Sequence, residues 1–196
     1  MGDRSEARKA FEFIRGKKGE PTELFDLSTV VPVPRAIRAL EKLTSPEMTA
    51  AARATPEAIK RHTERVQIAA SRSWLATGFD SASEWLENYW GTPKNVWGVE
   101  RCETMRKGEP DVRLFFYSYK RPIYAVVREL SCRFTNVMFE LTFADEVEEF
   151  VGVAHYVAGK GLGKEADWCS EHAEMLRARL WEHPEDDIVQ EAMMVS

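Results

Sequence analysis

Apolar residues recur at helical spacing through the first half of the chain, and from Val96 they alternate in short runs of strand period. Ser5 can cap a helix carrying Ala7, Ala10, Phe11 and Ile14, which Gly16 ends. Between Phe25 and Pro34, two prolines remove amide donors and predict an extended path that cannot be a central strand. A short helix is predicted over 35–43. Ser45-Pro46-Glu47 and Thr55-Pro56-Glu57 each place a cap residue before a first-turn proline, so two further helices follow. The second should run from Pro56 to about Ala76, bury Ile59, Val66, Ala69, Ala70 and Trp74, and stop at Gly78. Ser81 or Ser83 then starts a helix holding Trp85, Leu86 and Trp90.

Strands are predicted over 96–105 and 111–119, joined at Lys107-Gly108-Glu109-Pro110. Pro122 opens a helix to about Arg133 with Ile123, Val126, Val127 and Leu130 on its buried stripe. A second strand pair, 136–143 and 147–157, turns at Asp145-Glu146. A glycine-rich loop at 159–163 precedes a last helix over about 165–182. The order strand, strand, helix, strand, strand, helix predicts an α+β fold: a ferredoxin-like antiparallel sheet with helices on one face and an inserted helical segment. The expected organisation is one compact domain. It comprises an N-terminal helix and extended segment (1–34), a helical insertion (35–80), a ferredoxin-like core (81–183) and an acidic tail (184–196).

With 196 residues, 44% of them apolar and 11% aromatic, the chain can bury a substantial core without staples. The charged start, Met1 to Lys9, lacks the apolar centre of a secretory signal, and no run approaches the ~18 apolar residues of a membrane span. A cytoplasmic protein is expected. Cys102, Cys132 and Cys169 are odd in number and far apart, which predicts reduced, buried thiols. Formal charge is −5, but unevenly placed. From Glu140 onward 14 acidic residues face four basic ones, a balance of −10, while the residues before it carry 23 basic and 18 acidic, a balance of +5. The acidic end should repel phosphates and attract basic surfaces.

Three blocks carry a family resemblance. Phe25-Asp26-Leu27 through Val30-Val31-Pro32-Val33-Pro34 is similar to an F-D-F-N segment followed by two aliphatics and P-x-P. Asn88-Tyr89-Trp90-Gly91-Thr92-Pro93-Lys94 is similar to an N-W-G-T-K block. The third block runs from Leu114-Phe115-Phe116 across Arg121-Pro122 to Glu149-Phe150-Val151-Gly152. In this order they resemble the YubB-like ferredoxin-domain family of phages, prophages and conjugative plasmids. Family members usually begin with a strand before the first helix, and Tyr117 or Tyr119 stands where they carry a tryptophan. The resemblance implies origin in a mobile genetic element, no established reaction, and accessory roles in conflict with the host, inhibition of defence systems such as CRISPR among them.

No complete catalytic, cofactor or metal set emerges. Cys169 and His172 share a helical face but lack two further zinc ligands, His155 and Cys132 being only scattered candidates, and they lack an orienting carboxylate for nucleophilic work. Ala158-Gly159-Lys160-Gly161-Leu162-Gly163-Lys164-Glu165 departs from a phosphate loop at both ends and reads as a turn. Trp90 and Trp97 are expected as core anchors. Trp85 fits either the core or a partner-facing surface, and is counted with the candidate contact residues.

The preferred expectation is a non-enzymatic protein that binds and inhibits a host protein complex with a basic surface. Its contact residues would be Trp85, Asp145, Glu146, Glu148, Glu149, Glu185, Asp186 and Asp187, whose carboxylates imitate nucleic acid. The alternative is a nucleic-acid-binding module using the sheet face, or the basic helices through Arg53, Lys60, Arg61 and Arg65. Glu41, Glu47, Glu57 and Glu64 interleave with those cations, so a salt-bridged solvent face is the simpler expectation there. The chain would be a monomer, or a homodimer through an unpaired sheet edge.

Overall fold

A computed structural model describes residues 4–106, 109–144 and 150–167. α1 covers Arg4–Phe13, α3 Arg35–Thr44, α4 Pro46–Ala52, α5 Pro56–Thr77 and α6 Ala82–Trp90. α4, α5 and α6 begin where their cap residues place them, whereas Ser5, expected to cap the first helix, already lies inside it. Ser45, Thr55 and Ser81 each accept an amide hydrogen bond from the third residue beyond, and Gly78 and Gly91 close α5 and α6 in the left-handed region. The segment expected to be extended contains one helical turn, α2 (Leu27–Val30). Asp26 caps it by accepting the Ser28 N–H at 2.8 Å.

β1 (Trp97–Arg106) and β2 (Glu109–Tyr117) form a two-stranded antiparallel sheet. After α7 (Tyr124–Arg133), a three-stranded antiparallel sheet runs in the order β3 (Phe139–Ala144), β4 (Phe150–Val157) and β5 (Lys160–Asp167). The fold is therefore α+β, with its described strands hydrogen-bonded as two small sheets where one was expected. β5 corrects two further expectations. Ala158 (φ 49°) and Gly159 (φ 77°) form a two-residue hairpin turn, and the glycine-rich run beyond pairs with β4 from Val157↔Lys160 to Phe150↔Asp167. The segment expected to start a helix at 165 is strand as far as Asp167, and the remainder of that helix and the acidic tail lie outside the described residues.

The core gathers Leu27, Val30, Ile37, Leu86, Trp90 and Ile123 with Val126 and Leu130 of α7, and reaches Leu141, Ala154 and Tyr156 of the three-stranded sheet. The α7 stripe is the expected one. α5 departs from expectation: Ile59 and Trp74 are exposed, and Ser73 is the residue of that helix that is fully buried. α5 packs chiefly against α3 and has apolar residues around most of its circumference, so its spacing did not single out one face. The Ser73 hydroxyl is buried with no hydrogen-bond partner. Ser73→Ala should therefore raise stability by about 1 kcal/mol, measured by denaturant unfolding, because the folded state no longer holds a desolvated hydroxyl. Among the described residues, no helix is long and apolar enough to cross a membrane.

Candidate interaction surface

The aromatic junction after α6 is held by bonds that join distant segments. The Trp90 indole N–H donates to the Val31 carbonyl at 2.9 Å, tying α6 to the end of α2. Asn95 Oδ1 accepts the amides of Leu27 (3.1 Å) and Val96 (3.0 Å), and its Nδ2 donates to Asp26 Oδ1 at 2.8 Å. Asp26 and Asn95 thus cap α2 from two sides. Thr92 Oγ1 donates to the Lys94 carbonyl and accepts the Tyr119 amide at 3.2 Å, which joins the junction to the chain after β2. Phe25-Asp26 and the Trp90-to-Asn95 stretch are consequently explained as two halves of one structural clasp. Gly91 adopts φ 84°, and a Cβ there would lie 2.7 Å from the Pro122 carbonyl oxygen. Gly91→Ala should lose at least about 2 kcal/mol from strain and collision together, measurable as a fall in thermal midpoint.

Trp85 belongs to this buried layer. It is 4% exposed, stacked on Tyr89 at 4.7 Å and edge-on to Trp90 at 6.5 Å, so it is not a partner-facing residue. Trp97 is the reverse correction: expected in the core, it is 39% exposed. The cause is a bulge in β1. Trp97 pairs with Tyr117 and Glu100 with Phe115, so β1 holds one residue more than β2 over this stretch. Simple alternation would place Trp97 with Val99 on the face that packs against the core. The extra residue turns Trp97 to the outer face, opposite Tyr117.

The bulge assembles a platform of three rings. Trp97 lies 4.3 Å from Tyr119 and 5.7 Å, stacked, from Tyr117, with the two tyrosines 42% and 55% exposed. The Lys94 ammonium stands 5.1 Å from the Tyr119 ring centroid. Gly98 (φ 60°) leaves room for the Tyr117 ring, which a Cβ would meet at 3.0 Å. The loop after β2 is fixed by the left-handed Lys120, whose ammonium holds Glu87 Oε1 at 2.6 Å. That ammonium, with Ser83 next, keeps the Glu87 carboxyl below its ordinary value of 4.5. The tether is thus fully present above the unfolded carboxylate range and is lost as pH falls through the lower, folded value. A tyrosine and tryptophan emission change as pH falls below the ordinary carboxylate range, absent in Glu87→Gln, is the expected signature.

Arg53, Lys60, Arg61 and Arg65 are exposed and, with Arg35, Arg38, Lys42 and Arg72, make no ion pair among the described residues. The expected salt-bridged face is not formed. Glu47 is held below the usual carboxylate range by its own backbone amide and then by the Ser45 hydroxyl, not by a cation. Along α5, Arg61, Arg65 and Arg72 fall within roughly 40° of one another at about 100° per residue, while Lys60 lies on a different face. Asp145, Glu146, Glu148, Glu149, Glu185, Asp186 and Asp187 lie outside the described residues, as do Cys169 and His172. His155 pairs across the β3–β4 ladder with Glu140 at 2.8 Å, and Cys132, expected to be buried, is exposed. Among the described residues, no group of three or more His, Cys, Asp or Glu could hold a metal ion.

No family model, curated protein or solved structure matches this chain. The platform was partly readable beforehand, from the alternation Tyr117-x-Tyr119 opposite Trp97 across a predicted hairpin. The position of the bulge had no such signal.

Proposed function

We propose that this chain is a non-enzymatic binding module that stacks unpaired bases of a single-stranded nucleic acid on Trp97, Tyr117 and Tyr119. The observation that carries this is the exposure of Trp97 with Tyr117 and Tyr119 packed against it, beside Lys94, at the base of the β1–β2 hairpin. Every base has a π-face, so such a platform is sequence-tolerant, and a neighbouring ammonium adds attraction for the backbone. The platform lies in the part of the chain before Glu140, where charge balances to +5. Aromatic side chains on an exposed strand face stack bases in RNA-recognition domains, and the outer face of the β1–β2 hairpin fits this role by that analogy alone. The resemblance to YubB-like proteins supplies the setting, an accessory protein of a mobile genetic element.

Anisotropy of a labelled oligothymidylate tests the proposal. Binding is expected at about 50 mM salt, weakening toward about 200 mM with a shallow slope because few phosphates are contacted. Duplex DNA of the same length should bind less well, since its bases are already stacked. Absence of any single-strand binding at low salt would end the proposal.

A second reading rests on charge. The −10 balance from Glu140 onward suits a host protein assembly with a basic groove, which the chain would block in place of nucleic acid, as an anti-CRISPR or other anti-defence inhibitor would. Neutralising Glu148, Glu149, Glu185, Asp186 and Asp187 together should then abolish inhibition while leaving oligothymidylate binding intact. Inhibition that survives the neutralisation removes this reading.

A further inference from the structure

α5 leaves apolar surface without cover beside α3. Ile68 is 53% exposed and Leu75, two turns further along the same stripe, is 85% exposed. Across from Ile68, Ala36, Ala39 and Leu43 of α3 complete the floor of an open groove of about 580 Å³ between the two helices. Three guanidinium groups line it, Arg35 from the start of α3 and Arg65 and Arg72 from α5. All three are exposed and make no ion pair among the described residues.

We infer that this groove is a docking site for an acidic amphipathic helix of a partner protein. The floor and the rim make different demands, and one occupant meets both. An apolar floor of alanine, leucine and isoleucine gains from being dehydrated by aliphatic side chains, which a phosphate backbone does not offer. The three unpaired guanidinium groups select carboxylates over amides or cations at the rim. Arg65 and Arg72 are seven residues apart, two helical turns and about 10.5 Å along α5. A partner helix carrying glutamates at the same interval, beside a leucine stripe, presents its carboxylates to both while the stripe enters the groove. The ten residues of α3 set the length of contact at about 15 Å, or some three turns of the partner. This site is separate from the aromatic platform and shares no residue with it.

The test uses the full-length chain and a labelled synthetic helix of about 14 residues with a leucine stripe and glutamates at i and i+7. Anisotropy should show saturable binding, and a scrambled peptide of identical composition should not bind. Arg65→Glu with Arg72→Glu should weaken binding by about tenfold or more. Ala39→Trp, which fills the floor without changing charge, should weaken it comparably. Both variants should keep the helical circular-dichroism signal and thermal midpoint, because these positions are at the surface. Equal binding of the scrambled peptide overturns the inference, as does unchanged affinity in the two folded variants. Displacement of the peptide by an oligonucleotide of similar charge would assign the arginines to phosphate instead. Self-association of the chain abolished by Ala39→Trp would make the occupant a second copy. Either result also overturns it.

Discussion

Trp90→Ala is expected to destabilise the fold by about 3–5 kcal/mol, the range for removing a buried tryptophan from a packed interior. Its ring is 5% exposed and lies in the core with Leu86, Val30 and Ile123, so truncation opens a cavity at the meeting point of α2, α6 and α7. The loss also frees the Val31 carbonyl, whose hydrogen bond to the indole N–H spans 59 positions of sequence. Trp90→Phe separates the two contributions. It keeps most of the apolar volume, and should retain all but about 1–3 kcal/mol, the cost of a carbonyl left without its partner. For a chain of this size the alanine variant corresponds to a fall in thermal midpoint of roughly 6–20 °C. Calorimetry or chemical unfolding of the two variants beside the native protein checks both values. A loss below about 1 kcal/mol for the alanine variant would mean that the clasp does not hold these segments together.

Trp97→Ala combined with Tyr119→Ala should nearly abolish binding to single-stranded nucleic acid while leaving the fold intact. Each ring that stacks a base contributes about 1–3 kcal/mol, which is roughly 5- to 150-fold in affinity per ring. The two rings are 4.3 Å apart and each about two-fifths exposed, so their effects will not be fully additive. Trp97→Phe should keep most of the binding, because a flat apolar ring remains. Lys94→Ala should act differently from the ring variants and reduce the salt slope by about 0.7, one phosphate contact on a single strand. This division between slope and intercept distinguishes stacking from a merely basic surface. Loss of affinity in the lysine variant alone, with full binding in the double aromatic variant, would move the site away from the platform.

Cap chemistry made α4, α5 and α6 readable from sequence. Ser45, Thr55 and Ser81 sit before their helices as their hydroxyls require, and Gly78 and Gly91 end them because only a residue without Cβ takes the left-handed cap cheaply. The misses have physical causes. α2 is one turn long, too short for periodicity to register, and the two prolines after it suggested extended backbone for the whole stretch. Its stability comes from Asp26 and from Asn95, which is 69 positions away from Asp26. β5, Lys160–Asp167, is glycine-rich and charged, a composition with weak strand propensity. It is a strand because β4 pairs with it through eight registered positions. Trp97 is expected in the core as a large aromatic anchor, and a single inserted residue turns it to the outer face. Trp85, which fitted either place, is covered by α6 packing, and Trp97 is released by the bulge. Chemistry confined to the end of the chain, including the carboxylates expected to imitate nucleic acid, lies outside the described residues.

The central claim is that the chain acts through an exposed stacking surface while its other junction aromatics serve the fold. Nitrogen-15 spectra of the six tryptophan indoles during titration with oligothymidylate test it most directly. The expected result is a progressive, saturable shift of the Trp97 indole, with Trp85 and Trp90 unmoved because they are buried in the clasp. A titration in which Trp97 stays fixed while the chain binds, or in which no indole responds at all, would contradict the account.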